Sequence, residues 1–447
     1  MSNTSRSGLL EKLNSFDPSV RREALEALWH ASSEGDIELA EESRAVNLHC
    51  HTFYSYNGYG DSPSTVAWKA RVAGLSAIGI VDFDVLDGVR EFLDACRLLD
   101  LRACAGIETR VFVDRFGKDV INSPGEPGIA YHMGAGFTPD CDTEAAWVSS
   151  LKATAQDRTR SIVERVNAHV PEVAINYECD VLPLTPQGNA TERHVCIAYE
   201  TKAREVMSIS ATRHEYWSGK LGVPTSDIEV KESDTPLMHA LIRSKLMKQG
   251  GVGYVAPEGP DFPSIEAMNA NVSEAGAFPV MAWLDGASAG EKNPGDLLDY
   301  MIESGAEAVN IIPDRNWNVA DEDARRGKVK KLHAFAAAAE ERALPMLVGT
   351  ECNAHGQRFV DDFSAEEMAP LVAPAYDTAM LMHAHTILAP YDMGYASAWA
   401  RRHFEDRKVR NAFYTQAGAL LDPSELTTEP SWNSETSPDD IFASLGH

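Results

Sequence analysis

Short apolar runs alternate with amphipathic segments over the first quarter of the chain. The apolar runs cover residues 45–51, 77–82 and 102–108, and the amphipathic segments cover residues 63–74 and 85–99. Strands that alternate with helices at this spacing predict right-handed βαβ units around a parallel sheet. The three runs end on His51, Asp82 and Glu108. Because parallel α/β folds carry their functional groups at the carboxyl ends of strands, these ends predict a site.

The alternation loosens after a fourth apolar stretch at residues 129–137 and returns later in the chain. Residues 141–275 are polar and rich in helical patterns, beginning with a long helix predicted at residues 143–170. We interpret them as an insertion, because no strand rhythm runs through them. Strand-like runs return at residues 278–283, 308–312 and 346–351.

The charge balance bears on the partners of the chain. It has 40 basic and 67 acidic side chains, which give a formal net charge of −27. This argues against a nucleic-acid or anionic-membrane surface, which needs clustered Lys and Arg. A phosphorylated substrate remains compatible with it, because bound divalent metals reverse the local field. Seven cysteines without C-x-x-C spacing, no membrane-length apolar run and a polar N-terminus lead us to expect reduced thiols and a cytoplasmic location.

The strand end at His49-Cys50-His51 carries the first candidate chemistry. Alternate side chains of a strand share a face, so His49 and His51 point the same way and are able to grip one metal ion. Taken alone, such a pair is more ordinarily two buried histidines with hydrogen-bond partners. The carboxylates at the ends of the following strands shift the interpretation towards a metal site.

Four motifs in this order resemble the PHP (polymerase and histidinol phosphatase) family of metal-dependent phosphoesterases. They are H-x-H-T at residues 49–52, V-D-F-D at 81–84, G-I-E at 106–108 and G-T-E at 349–351. The resemblance implies a distorted (β/α)7 barrel of the TIM-like type, with metal ions at the strand ends. Outside the motifs, a cap at Asp17-Pro18 and an apolar stripe from Val20 to Trp29 predict a helical N-terminal extension, and helical patterns after residue 360 predict a C-terminal one.

The resemblance assigns the metal ligands residue by residue. His49 and His51 would bind a first ion, and Glu108 would bridge it to a second. His132 would bind the second ion, and Glu351 stands where the family usually has Asp. The family's later His-Pro element has no match, and Asp285 is the substitute ligand nearest to its place.

Further residues are implied around the substrate. Asp82 and Asp84 would orient a histidine ring or the attacking water. Arg193 would neutralise a phosphate, and His194 would protonate the leaving group. His355 and Arg358 lie on a predicted loop just past Glu351, from which they would reach a substrate. His383 and His385 form another H-x-H in a helical context, where residues two apart diverge, so one of them at most would face the site.

The departures from the family motifs reduce the number of metal ions that we expect the site to bind. The motif at residues 81–84 has Phe83 in place of a histidine, and the last motif has Asn353 in place of another. The position of a third-metal histidine after H-x-H offers only Asn57. We therefore expect two divalent ions, of zinc, manganese or iron, and no third.

These inferences divide the chain and give it a function. The divisions are an N-terminal helical extension (1–43), the first part of the barrel (44–140), the insertion (141–275), the second part of the barrel (276–360), C-terminal helices (361–425) and a disordered tail (426–447). The expected activity is hydrolysis of a phosphate ester of a small molecule or nucleotide by a metal-activated water. The alternatives are a metal-dependent hydrolase of a non-phosphate bond and a degenerate barrel that binds a metabolite without turnover.

Overall fold

Seven strands in chain order form the centre of the molecule. The computed structural model describes residues 3–257, 259–423 and 432–445. The strands are β1 (Val46–Cys50), β2 (Ala77–Phe83), β3 (Arg102–Phe112), β4 (Ile129–Ala135), β5 (Phe278–Ala282), β6 (Ala308–Ile311) and β7 (Met346–Val348). Each pairs with the next along the chain, and a parallel bridge between Cys50 and Glu351 brings the last strand back to the first. The sheet is therefore a nearly closed barrel.

Helices cover the outside of this barrel and form the rest of the chain. They are α1 (Asn3–Lys12), α2 (Pro18–Ser33), α3 (Pro63–Val72), α4 (Val89–Leu98), α5 (Ala146–His169), α6 (Glu192–Val206), α7 (Ser210–Leu221), α8 (Thr225–Glu232), α9 (Thr235–Leu246), α10 (Ile265–Glu274), α11 (Pro294–Glu303), α12 (Asp314–Trp317), α13 (Glu322–Glu341), α14 (Val372–Leu388), α15 (Ala398–His403), α16 (Arg407–Leu420) and α17 (Pro438–Ser444). The predicted fold class, a distorted (β/α)7 TIM-like barrel with helical extensions, is confirmed. None of the helices in the described part of the chain is long and apolar enough to cross a membrane.

Local sequence explains where several helices begin. Asp17, Ser62 and Asn293 each accept a backbone N–H of the first turn of α2, α3 and α11, and a proline follows each of them. A side-chain acceptor at the N-cap satisfies an otherwise unpaired amide, and proline there loses no hydrogen bond. These caps fix the entry of the chain into helices that pack on the barrel.

The strand β4 departs from the parallel pattern. It runs antiparallel to both β3 and β5. The connection between β3 and β4 contains only one short 3₁₀ turn, Asp114–Phe116. Parallel strands are usually joined by a crossover helix, which this connection does not contain, whereas an antiparallel pair can be joined by a loop. The reversed strand is the main distortion of the barrel.

The end of the chain differs from the predicted disordered tail. Residues 438–444 form α17, whose Ile441 is fully buried and whose Phe442 packs against Phe413 with ring centroids 5.3 Å apart. Trp432 also lies against the ring of Tyr391. The polar composition hides these few apolar anchors, which attach residues 432–445 to the C-terminal helices. Residues 424–431, 446 and 447 lie outside the described residues.

The helix crossing of α14 and α16 generates a stability prediction. A Cβ atom on Gly418 would collide with the carbonyl of Met380, whereas one on Gly327 of α13 would meet nothing within 4 Å. We expect Gly418→Ala to lower the free energy of unfolding by ~1–3 kcal/mol through overpacking. The control Gly327→Ala should raise it by ~0.5–1 kcal/mol, because alanine favours a helix over glycine. Urea unfolding measures both, and equal values for the two variants would contradict the described crossing.

Candidate metal centre

Three buried side chains converge at the carboxyl end of β1 and at Glu108 of β3, which pairs with Phe83 at the end of β2. The Nε2 atom of His51 lies 3.0 Å from Oε2 of Glu108, and Nε2 of His49 lies 3.5 Å from the same oxygen. The two Nε2 atoms are 3.4 Å apart. Within the part of the chain that the structure describes, this is the one group of three or more His, Cys, Asp or Glu residues whose ligand atoms are close enough together to hold a metal ion.

The other nitrogen of each imidazole is already engaged. Nδ1 of His49 lies 3.0 Å from Oδ1 of Asn310, an acceptor, so this nitrogen carries the proton. Nδ1 of His51 lies 3.2 Å from Oγ of Ser55, whose hydroxyl donates to Asp82 at 2.6 Å. Both rings therefore present an Nε2 lone pair to the same point, which is the tautomer that a metal ligand needs.

Asp82 organises the loop beneath His51. Its Oδ1 accepts the backbone N–H of Thr52 at 2.7 Å, and its Oδ2 accepts the hydroxyl of Thr52 at 2.6 Å. With the Ser55 hydroxyl as a further donor, the buried carboxylate orients the His51 ring through Ser55. The structure thus places Asp82 where the sequence puts an orienting residue.

The electrostatics of the cluster fit a cation. Burial alone would raise the pKa of Glu108, but the imidazoles of His49 and His51 outweigh it and lower that pKa to about 2. Burial likewise opposes a charged His49, but the carboxylates of Glu108 and Glu351 raise its pKa. The buried Oε2 of Glu108 makes no hydrogen bond. A buried oxygen that faces two nitrogens without a hydrogen bond is the arrangement of ligands around an ion, so these residues fit a divalent metal.

Glu351 lies beside this cluster without joining it. It follows β7 with a left-handed backbone, φ +65°, and exchanges backbone hydrogen bonds of 2.7 Å with β1 at His49 and His51. Its Oε2 accepts from Arg315, from Asn353 at 3.1 Å and from Gln357 at 3.4 Å. The strained backbone brings the carboxylate to the site, and these donors hold it there.

Gly349 makes the approach of this segment to β1 possible. A Cβ atom at residue 349 would collide with the Cβ of His49 and crowd Oδ1 of Asn47. Only glycine allows two backbones to come this close. The glycine of the G-T-E motif therefore has a packing role directly behind the histidine pair.

A cavity of about 450 Å³ opens over the cluster, and His49, Glu108 and Glu351 line it together with residues of the insertion. Six cationic side chains line the same cavity: Arg110, Arg158, Arg193, Arg243, Lys248 and Arg315. Four of them come from the insertion, between residues 141 and 275. In a chain with a net charge of −27, this concentration of positive charge marks an anion-binding space.

Three carboxylates pair with five of these cations: Glu192 with Arg243 and Lys248, Glu126 with Arg110 and Arg158, and Glu351 with Arg315. Glu192 lies 2.8 Å from both Arg243 and Lys248, and Glu126 lies 3.6 Å from Arg110. Burial, and next the neighbouring Arg110, lower the pKa of Arg158. Burial and the nearby Arg243 likewise lower the pKa of Arg193. Burial thus disfavours the charged forms of Arg158 and Arg193, and a bound anion would offset this effect.

Sequence reasoning found Arg193 among these cations and missed the others. Arg110 left a usable signal, because it stands two residues after Glu108 on β3 and so shares its face. Arg158, Arg243 and Lys248 lie on separate segments of the insertion, where no local pattern distinguishes them from surface charges.

Asp84 lines the cavity next to Glu108. It has a left-handed backbone, φ +60°, and its Oδ1 accepts the hydroxyl of Thr109 at 2.6 Å. Burial raises the pKa of Asp84 to about 6, against the lowering effect of that hydrogen bond. A carboxyl group that titrates near neutral pH suits proton transfer.

Two predicted ligands lie away from the cluster, and their assignment is wrong in this structure. His132 pairs with Thr109 across β3 and β4, on the face opposite Glu108, and its Nε2 lies 2.6 Å from Oδ1 of Asn269. The antiparallel register of β4 sets this face, and burial lowers the pKa of His132 to about 4. Asp285 accepts a backbone N–H from Ala287 and pairs with Lys328 at 3.2 Å, outside the cavity lining.

The predicted substrate residues divide similarly. Arg193 lines the cavity, with its guanidinium 5.3 Å from the centre of the Tyr56 ring. Its neighbour His194 is buried, and its Nδ1 accepts the N–H of Thr191 at 3.0 Å in a capping box at the start of α6. Burial lowers the pKa of His194 to about 4, and the residue lies outside the cavity lining, so its position does not support the predicted role as a proton donor.

The remaining predicted residues lie outside the cavity lining. His355 is exposed beside Tyr59, and Arg358 is exposed over the ring of Trp317, so neither reaches the cluster. His385 is buried on α14, where its Nε2 binds the Gly136 carbonyl at 2.8 Å. His383 binds the carbonyl of Leu421 at 3.1 Å. Both histidines of the second H-x-H therefore have structural partners.

Glu291 fixes one wall of the cavity. Its buried carboxylate accepts the backbone N–H groups of Leu284, Asp285 and Gly286 at 2.7, 3.1 and 2.9 Å. Leu284 lines the cavity at the end of β5. Burial raises the pKa of Glu291 to about 7 despite these three bonds.

Comparisons with known proteins add a likeness in fold. No family model matches the sequence, and no curated protein matches it. An amidohydrolase from Chromobacterium violaceum, solved with bound sulfate and no metal, has 16% identity and a TM-score of 0.47 over 71% of this chain and 91% of that one. A protein from Bifidobacterium adolescentis, provisionally assigned as a metal-dependent phosphoesterase, has 19% identity and a TM-score of 0.45 over 75% of this chain and 98% of that one. At these values neither structure bears on the activity of this chain.

The link from Asp82 to His51 predicts an effect on metal affinity. In Asp82→Asn, the amide group cannot accept all the donors of Thr52 and Ser55, so His51 loses its orienting partner. We expect divalent-metal affinity to fall about 10- to 100-fold without loss of the fold. Calorimetric titration with Mn²⁺ measures this. Asp285→Asn is the matched control and should bind as the wild type does; a larger loss there than in Asp82→Asn would show that the ligand set is wrongly drawn.

Glu291 predicts a pH dependence of stability. Its folded-state pKa of about 7 lies above the ordinary value of 4.5, so the protonated form favours the folded protein. This contribution is complete below pH ~4.5 and is lost as the pH rises through ~7. We expect Glu291→Gln to reduce the loss of unfolding free energy between pH 5 and 8 by ~2 kcal/mol. Urea unfolding of both proteins at the two pH values tests this, and identical pH slopes would refute it.

Proposed function

We propose that the chain is a metal-dependent hydrolase that cleaves a phosphate ester of a small molecule or nucleotide. The observation that carries the proposal is a buried His–His–Glu cluster that faces a cavity lined by six cationic side chains. The cluster supplies a place for a metal, and the cations supply a place for an anion. The resemblance of the strand-end motifs to the PHP phosphoesterases points in the same direction.

Different residues would have different roles in the proposed reaction. A metal ion bound there would supply a water activated near neutral pH and polarise the phosphoryl oxygen. His49, His51 and Glu108 would hold it, with Asn310 and Ser55 keeping each imidazole proton on Nδ1. Guanidinium groups bind phosphate oxygens through paired N–H donors, which suits Arg158 and Arg193 at the cavity wall.

Asp84 is the proton-transfer group in this proposal. Its Oδ1 is held by Thr109, which leaves Oδ2 to take a proton from the attacking water and pass it on. With a pKa of about 6, the carboxylate is largely ionised at neutral pH and still basic enough to accept a proton. His194 has no such role here, because it lies outside the cavity lining.

The cavity favours a small substrate with a fixed negative charge. Its volume of about 450 Å³ lies in the range of sites for small molecules. Lysine and arginine are outnumbered by acids over the whole chain, yet six of them meet in this one space. A phosphate would add counter-charge beside Arg158 and Arg193, whose pKa values burial lowers, whereas a neutral amide or ester would add none. Cleavage of a non-phosphate bond is therefore the weaker alternative.

Binding without turnover is the second candidate function. Phe83 stacks on the His51 ring with centroids 4.2 Å apart, at a motif position where the PHP family has a histidine. Asn353 likewise replaces a histidine and donates to Glu351. These changes remove groups that the chemistry of the resembling family uses, and they favour a site that retains a metal and an anion without cleaving a bond.

One experiment separates these functions. Protein reconstituted with Mn²⁺ or Zn²⁺ would be assayed for phosphate release from a panel of phosphomonoesters and phosphodiesters, with carboxylic esters and amides beside them. We expect activity on phosphate esters, lost on chelation and reduced at least about 10³-fold in His51→Ala and Glu108→Gln. His30→Ala, on the exposed side of α2, is the control and should keep full activity.

The other outcomes are equally informative. Activity that persists in His51→Ala would contradict the metal mechanism. Turnover of amides or carboxylic esters alone would replace the substrate class. Binding of metal and inorganic phosphate with no turnover across the panel would replace catalysis with the binding function.

A further inference from the structure

We propose that this centre holds one metal ion and that the guanidinium of Arg315 supplies the positive charge on the side where a second ion would lie. The inference rests on the proposed function, since it concerns the same metal centre. It replaces the two ions that the sequence leads us to expect with one ion and one permanent cation of the chain.

The ligands for a second ion are not assembled. In the described residues, only His49, His51 and Glu108 bring ligand atoms within reach of one ion. His132, the ligand implied for a second ion, faces Asn269 on the outside of the barrel. Asp285, the predicted substitute ligand, pairs with Lys328 at 3.2 Å outside the cavity lining. Glu108 can bridge two ions only if other side chains complete the second one.

Glu351 is the carboxylate that follows β7 at this site, and its Oε2 is already paired. Arg315 extends from the short helix α12, after β6, and its Nη2 contacts Oε2 of Glu351. The amides of Asn353 and Gln357 donate to the same oxygen. A carboxylate oxygen has about two lone pairs, so three donors leave none on Oε2 for a metal. Among the described residues, Glu351 is the only carboxylate in ion-pair contact with Arg315.

The charges of the site agree with this assignment. Glu351 is joined through its backbone to His49 and His51, and Arg315 lines the same cavity as Glu108. With the neighbouring Asp84, the carboxylates of Glu108 and Glu351 bring at most three negative charges, which one divalent ion and one guanidinium already balance. A second divalent ion would add repulsion from both cations in a poorly solvated space. Arg315 lines the cavity as well, so its charge faces the bound anion.

This assignment reverses the sign of one mutational effect. If Arg315 stands in for a cation, Arg315→Gln removes repulsion and releases the charge of Glu351, so the remaining ion should bind about tenfold more tightly. If Arg315 merely holds Glu351 as a metal ligand, the same change would weaken binding. Glu351→Gln leaves Arg315 without its counter-charge and should weaken binding about tenfold while keeping the same stoichiometry.

The experiment combines metal counting with spectroscopy on the full chain. Metal-free protein would be titrated with Mn²⁺ by calorimetry, and the loaded protein examined by electron paramagnetic resonance. We expect one equivalent and the resolved hyperfine pattern of an isolated Mn²⁺ ion. Arg315→Lys, which keeps the charge, should bind as the wild type does. Arg326→Gln, on the exposed face of α13, is the matched control for the loss of one arginine.

The metal stoichiometry and the affinities of the variants together test the inference of one metal ion. One equivalent, with tighter binding in Arg315→Gln and weaker binding in Glu351→Gln, supports the inference. Two equivalents with an exchange-coupled spectrum, loss of a whole equivalent in Glu351→Gln, or weaker binding in a folded Arg315→Gln would overturn it and leave the proposed hydrolase in place. No metal bound to any folded protein would overturn the proposed function itself.

Discussion

Two imidazoles and a carboxylate meet at one dry point of this barrel, and burying such groups together is costly unless each has a defined partner. His49, His51 and Glu108 have almost no contact with solvent. The surrounding residues meet this requirement in different ways. Asn310 and Ser55 fix the imidazole protons, Asp82 anchors the loop below, and Gly349 gives β1 the space it occupies. The convergence of three ligand atoms is therefore a property of the whole barrel end.

In the proposed function, the insertion would give this centre its chemical selectivity. The barrel contributes histidines, carboxylates and the two cations Arg110 and Arg315 to the cavity. Helices α5, α6 and α9 add Arg158, Arg193 and Arg243 above them, and so turn the upper wall towards anions. The insertion also has a hydrophobic core of its own, centred on residues such as Trp217 and Tyr199. A separate core lets this unit carry buried cations without loosening the packing of the barrel.

The fold and the centre of the site could be predicted from local pattern. The alternation of strands and helices predicted a parallel α/β sheet, the resemblance to the PHP family implied its closure into a barrel, and strand periodicity placed His49 and His51 on one face. The failures come from geometry that local pattern does not contain. The antiparallel register of β4 turns His132 outward, and a helix cap occupies His194. Arg315 lies 36 residues before Glu351 in the chain, and only the tertiary fold brings the two together. No sequence motif indicates that contact.

The seam of the barrel passes through the site. Glu351 and β1 are joined by a reciprocal pair of backbone hydrogen bonds, from Glu351 to His49 and from His51 to Glu351. Spreading the first and last strands would therefore separate the residues that carry the ligands and the ion pair. Entry of a substrate between these strands would break both bonds and would also separate the metal ligands from Glu351. The other side of the cavity is lined by the insertion, so the route that leaves the centre intact runs past α5, α6 and α9.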